Sequence, residues 1–264
     1  MAKYDKLDAI LRHSSMTDNE WRTFAELLEM KGLMEYVPEK RRLVVNEEIR
    51  HLYGHTMFNV FRDEYSPDYS EILVEVAKKL KVEAIPEIRN ESDHRIDELE
   101  NKIIVRVIEI VKEEIIKESG EKGWENWQKE WEKSMDENLK SGNISQANYD
   151  DYIKLRGLGV GAAIIAGKMA GFGLFVVANQ AFFAISRFFG LGIGVAVAGP
   201  IIGKGLAALM GPIGWGIAGG IMINDLGDTN WKKVIPTILF VISLRKRRMT
   251  QFLSSPKLKS DGGM

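Results

Sequence analysis

The sequence predicts an all-α protein, with a helical N-terminal region and a glycine-zipper-rich, apolar helical C-terminal region. Three observations carry this expectation. Through about residue 142, apolar residues recur three and four apart behind recognisable cap residues. No comparable stretch there alternates apolar and polar residues as a half-buried strand would. Beyond Gly157, glycines fall four apart within apolar runs, a spacing suited to closely packed helices.

Leu7, Ile10 and Leu11 form a short helical pattern. Thr17-Asp18-Asn19-Glu20 then reads as a capping box, in which the Thr17 hydroxyl accepts from the Glu20 backbone and the Glu20 carboxylate reaches back. Trp21, Phe24, Ala25, Leu27 and Leu28 follow at helical spacing, so residues 4–30 are expected to form a helical hairpin. Ser66-Pro67 reads as a cap followed by proline at the first helical position. Behind it, Ile72, Leu73, Val76, Ala77 and Leu80 share one face. Ser92-Asp93 is expected to open a long helix with Ile96, Leu99, Ile103, Val107, Ile110 and Val111 on its core stripe. Gly120-Glu121-Lys122-Gly123 should break that helix. Trp124, Trp127 and Trp131 then share one helical face. A core or interhelix role is the first reading for this face, and a partner-binding face the second. Ser141 to Ser145, SGNIS, marks a turn and a domain boundary.

The net charge of −1 conceals a division. Residues 1–155 hold 24 Lys/Arg and 34 Asp/Glu, a balance of −10, whereas residues 156–264 hold 12 and 3, a balance of +9. The basic half is expected to meet an acidic partner or anionic surface, or the two halves attract each other. With no cysteine, disulfides and thiolate chemistry are excluded. The polar start, Met1-Ala2-Lys3-Tyr4-Asp5, lacks the apolar core of a signal peptide, so a cytoplasmic location is expected.

Eighteen of the 25 glycines lie between Gly157 and Gly227. A flexible linker would pair them with Ser, Lys or Glu; here they accompany Ile, Phe, Val and Leu. Five pairs stand four apart: Gly157 and Gly161, Gly167 and Gly171, Gly190 and Gly194, Gly199 and Gly203, Gly216 and Gly220. Such pairs would let helix backbones approach closely. The uncharged runs Met169–Ser186, Phe188–Gly203 and Gly205–Asn224 are 18, 16 and 20 residues long. Spanning a bilayer takes roughly 20 residues. The pattern fits helical hairpins that either bury themselves in a fold or insert in a membrane. Val234–Leu244 is mostly apolar and leads directly into Arg245-Lys246-Arg247-Arg248, a cluster suited to anionic lipid headgroups. The plainer reading is a solvated helix end whose cations complement the dipole.

Chemistry-bearing patterns are weak. Ala198 to Gly205, AGPIIGKG, has the outline of a phosphate loop with Lys204, but Gly205 stands where a hydroxyl residue would hold magnesium. His51 and His55 are four apart, yet Gly54 should interrupt a helix there and no third ligand is evident. No Ser-His-Asp set can be assembled. No catalytic residue, metal site or cofactor is expected. Nucleic acid is not an expected partner, because the one dense basic run lacks interleaved aromatics.

The stretch Ile49–Val82, IRHLYGHTMFNVFRDEYSPDYSEILVEVAKKLKV, resembles the YaaW family of bacterial proteins, which carries a region related to the ubiquinol–cytochrome c chaperone domain. The similarity lies in the Tyr53-Gly54 turn and the helix from Tyr69 through Lys81. LDAILRHSSMTDNEWRTFAELL resembles the short domain that commonly precedes it, and GPIGWGIAGGIMINDLGDTNWKKVIPTILFVISLRKRRM resembles the family's C-terminal segment. Together these cover about a third of the chain, in the family's order. The apolar region Gly157–Gly205 and the Trp-rich helix depart from the family's pattern. The resemblance implies a helical, non-enzymatic cytosolic protein that binds a polypeptide and is linked to defence against phage.

The expected organisation is a helical hairpin over 1–35, an acidic chaperone-like helical region over 36–142, a Gly-rich apolar helical region over 143–255 and a disordered tail over 256–264. The expected function is that of a sensor or adaptor that binds a protein partner and contacts membrane, with room for a homo-oligomer. The alternative is a pore-forming effector whose Gly-rich hairpins oligomerise in the bilayer.

Overall fold

The computed structural model describes residues 5–12, 16–57, 67–88, 94–140, 172–188 and 229–254. Their regular elements are all helical, with no strand among the described residues. Helix α1 spans Lys6–Leu11, with the Asp5 carboxylate accepting from the Asp8 backbone at 2.9 Å. Helix α2, Asp18–Leu27, begins at the expected capping box: Glu20 N–H donates to Thr17 Oγ1 at 3.3 Å, and Thr17 N–H donates to Glu20 Oε2 at 2.7 Å. A 3-10 turn, Leu33–Glu35, follows Gly32, whose φ of 82° lies in the left-handed region. Helices α3, Pro38–Met57, and α4, Tyr69–Lys79, come next.

Two expectations are corrected here. Gly54 does not interrupt α3, which continues to Met57; glycine disfavours a helix by only about 1 kcal/mol, a cost that packing can offset. The start of α4 is set by Asp68, not by Ser66-Pro67. Asp68 Oδ1 accepts from Glu71 N–H at 3.0 Å, and Asp68 N–H donates back to Glu71 at 3.0 Å, a second capping box.

Helix α5, Arg95–Lys140, carries the expected core stripe, and Ile96, Leu99, Ile103, Val107, Ile110 and Val111 are all buried. It breaks within the expected glycine pair: Gly120 takes φ 65° and ψ −177°, a conformation essentially confined to glycine. On a straight helix Lys112 and Trp124 would stand about 18 Å apart along the axis. The bend instead brings the Lys112 ammonium 5.8 Å from the Trp124 ring. Trp124 is half-buried and stacks on buried Trp127 at 4.8 Å. The part of the tryptophan face described is therefore folded inward, against its use as a free partner surface; the Trp131 side chain lies outside the described residues.

Helices α6, Phe172–Phe188, and α7, Thr229–Ser254, complete the described fold. α7 is its centre. It packs most extensively on α6 and also touches α1, α2, α3 and α4, while α5 lies against α4 and α6. Every residue from Val234 to Leu244 is buried, so this helix has no solvent face over three turns. Each such Val, Leu, Ile or Phe contributes about 1.5–3 kcal/mol by leaving water. Phe240 sits between Phe24 of α2, at 4.9 Å, and Phe182 of α6, at 5.0 Å.

The composition boundary near residue 142 thus does not divide the hydrophobic core, because one cluster includes residues from α1 through α7. The glycine zipper itself is not seen. Gly157 and Gly161, Gly167 and Gly171, Gly190 and Gly194, Gly199 and Gly203, and Gly216 and Gly220 all lie outside the described residues. So do Ser92-Asp93, the SGNIS turn, Ala198–Gly205 with Lys204, and residues 256–264. The apolar C-terminal half is therefore represented by α6 and α7, and neither contains any glycine of the five pairs. Their packing includes the tilted ring contact of Phe182 with Phe240. No helix among the described residues is long and apolar enough to cross a membrane.

Candidate functional site

The end of α7 is where five helices meet. Successive residues of a helix point about 100° apart, so the run Arg245–Arg248 addresses several neighbours in turn. Arg245 and Lys246 face α5, where Asp97 and Glu100, three residues apart, share a face. Arg245 Nη1 pairs with Asp97 at 2.5 Å and also with Glu100. Lys246 Nζ stands 2.7 Å from Glu100 Oε2 and 3.5 Å from Asp97 Oδ1. From α4, the Tyr69 hydroxyl donates to the other Glu100 oxygen at 2.9 Å. Arg247 pairs with Glu20 of α2, whose second oxygen closes the capping box on Thr17. Arg248 Nη1 reaches the Ala9 carbonyl of α1 at 3.5 Å.

The basic run, read from sequence as a lipid-contact cluster, is therefore turned inward in this structure. Its cations neutralise carboxylates of the acidic half, the alternative that the charge division left open. The physical reason is the surrounding burial: with Val234–Leu244 in the core, α7 delivers its basic end to the same interior. Glu100 is fully buried, so a cation beside it stabilises what would otherwise be an isolated buried charge. Headgroup contact by Arg245 to Arg248 requires these ion pairs to open.

Electrostatics follow the geometry. Burial, then the charge of Glu100, pushes the Tyr69 phenol well above its ordinary range, with Arg245 opposing. Burial acts to raise Asp97, but its hydrogen bond to Arg245 and the charges of Arg245 and Lys246 outweigh that and hold the carboxyl below its usual value. Arg245 is likewise subject to burial, which would lower it, yet Glu100 and Asp97 drive it upward. Arg248 behaves oppositely: burial and the neighbouring Arg247 charge lower it to about 10, with Glu20 only partly opposing. The site thus has two unequal parts. Two cations meet two acids at Arg245 and Lys246, whereas Arg247 and Arg248 share Glu20.

Tyr69, Asp97, Glu100 and Glu20 were not singled out by sequence reasoning as site residues. One signal was present: Glu100 lies four from Ile96 and three from Ile103, placing an acid on an apolar stripe. Among the described residues, no group of three or more His, Cys, Asp or Glu is arranged to hold a metal ion. His51 is exposed on α3, and the His55 side chain lies outside the described residues.

No family model, no curated protein and no solved structure matches the chain.

Proposed function

We propose that this chain is a non-enzymatic sensor or adaptor whose acidic helices hold its basic C-terminal helix in reserve, and whose release exposes that helix to an anionic membrane. The observation that carries the reading is the ion-pair junction of Asp97, Glu100 and Glu20 with Arg245, Lys246 and Arg247, with Glu100 and Lys246 buried at its centre. An electrostatic lock of this kind gives the cations one set of partners when closed and makes them available to headgroups when open. The exposed apolar side chains of Tyr36, Val37 and Leu43, around the start of α3, favour a partner protein on the N-terminal half. The resemblance to the YaaW family supports a cytoplasmic, chaperone-like, polypeptide-binding role in bacterial antiphage defence. The Gly-rich region between α5 and α7 would then pack on itself, on other subunits or on lipid.

Flotation with phosphatidylcholine vesicles, with and without phosphatidylglycerol, tests this reading. The wild-type chain is expected to float weakly with anionic vesicles, and the double variant Asp97→Asn/Glu100→Gln several times more strongly. Failure of both to float would refute the membrane role. Dye leakage from the same vesicles would instead favour the pore-forming effector, and Gly171→Leu or Gly194→Leu should then abolish leakage.

A further inference from the structure

We propose that Arg247 and Arg248 form a binding site for a phosphate-type oxyanion at the junction of α1, α2 and α7. This goes beyond the membrane reading, because the site is defined by donors left open within the fold. Each guanidinium uses one nitrogen: an Arg247 Nη1 contact to Glu20, and an Arg248 Nη1 contact to the Ala9 carbonyl at 3.5 Å. The Nε and Nη2 atoms of both residues are buried and have no hydrogen-bond partner. On a guanidinium those two nitrogens form one edge, with parallel N–H groups that match two oxygens of an oxyanion. Each of the two guanidinium groups therefore keeps one complete fork open.

Open buried donors are unusual, because a charged group shut from water without partners forfeits its hydration. Arg248 is only 7% exposed. The depression of its pKa to about 10, by burial and by Arg247, agrees with a site short of negative charge. The adjoining pair shows what balance looks like: Arg245 and Lys246 face two carboxylates, whereas Arg247 and Arg248 share one. A tetrahedral phosphate suits these donors better than a planar carboxylate, since it has more acceptor oxygens and can take a bidentate edge while leaving oxygens for a second guanidinium. Entry requires the Arg248–Ala9 contact to part, and at 3.5 Å it is the longest bond of this end of α7 apart from the equally long Lys246–Asp97 pair.

The test uses the full chain, melted in potassium phosphate against potassium chloride at matched ionic strength, with calorimetric titration of inorganic phosphate. The wild type should show a saturable, phosphate-specific rise in melting temperature. Arg248→Gln should abolish it, and Arg248→Lys, which keeps the charge but loses the fork, should weaken binding about tenfold. Glu20→Gln keeps a capping acceptor at that position and should tighten binding. Lys232→Gln, on the same helix, should change nothing. Circular dichroism checks each fold; if Arg248→Gln does not fold, Arg248→Lys and Glu20→Gln decide.

Vesicles containing phosphatidylglycerol provide the second arm. If free phosphate has no effect but these vesicles bind the wild type and lose Arg248→Lys, a lipid phosphate is the ligand. The proposal is overturned if wild type does not distinguish phosphate from chloride and vesicle binding ignores Arg248, or if phosphate binding survives both Arg248 variants unchanged. Phosphate binding without flotation would sustain this site while refuting the membrane role.

Discussion

Lys246 places its ammonium 2.7 Å from the Glu100 carboxylate, and the two side chains are 2% and 0% exposed. They are 146 positions apart in sequence, one in the acidic half and one in the basic half. Attraction between the halves is thus realised inside the protein, beside Tyr69 and Arg245, where solvent screening is least.

Glu100→Gln should destabilise the fold by about 3–5 kcal/mol, because it leaves Arg245 and Lys246 with Asp97 as their remaining described acid. Glu98→Gln, an exposed neighbour paired with Lys102, should stay within about 0.5 kcal/mol. Urea unfolding of both variants measures the difference. Equal effects would show that burial of Glu100 is not what matters.

Gly120→Ala isolates a backbone effect. A Cβ there would meet nothing within 4 Å, so no clash is created, yet φ 65° with ψ −177° is strained for any other residue. A loss of about 1–3 kcal/mol is expected in thermal or urea unfolding. A neutral result would mean that the bend does not depend on glycine.

Phe240→Ala removes the ring between Phe24 and Phe182 and should lower stability by about 3–5 kcal/mol. If α7 is the centre of one shared core, near-ultraviolet circular dichroism and fluorescence should report a single transition. Separate transitions for the two halves would contradict that core.

The acid side of the stability curve should depend on Asp97. Its folded carboxyl lies below the ordinary value, so the ionised form contributes stability above about pH 4, the unfolded value, and this is lost as pH falls through the folded value. Urea midpoints measured from neutral pH down through that window should fall less steeply for Asp97→Asn than for wild type. Identical slopes would assign the acid sensitivity to other carboxylates.

The helical class was legible because its signals are local. Thr17 and Glu20 form their capping box as read, and the stripe from Ile96 to Val111 is buried as its spacing requires. Gly120 interrupts α5 because few residues tolerate its dihedrals. Local signals misled at Gly54, where α3 continues to Met57 because one glycine costs a helix only about 1 kcal/mol, and at Ser66-Pro67, where the Asp68 carboxylate captures the helix start. The site was less legible for a different reason. Periodicity shows that Glu100 shares a face with Ile96 and Ile103, but not which cation approaches from 146 positions away. Likewise Arg245 to Arg248 looks the same in sequence whether it faces lipid or Glu20, Asp97 and Glu100.

The central position of α7 also sets an order of events during synthesis. Lys233 pairs with Glu29 across 204 positions, and Arg248 reaches Ala9 across 239. As the ribosome delivers the chain, α1 and α2 must wait, their oily sides uncovered, until the helix that seals them has emerged. Such distant pairings slow folding and lengthen exposure to aggregation. A chain halted before Trp231 would retain most of its helices yet present an open greasy trough, a defect that quality-control chaperones and proteases recognise.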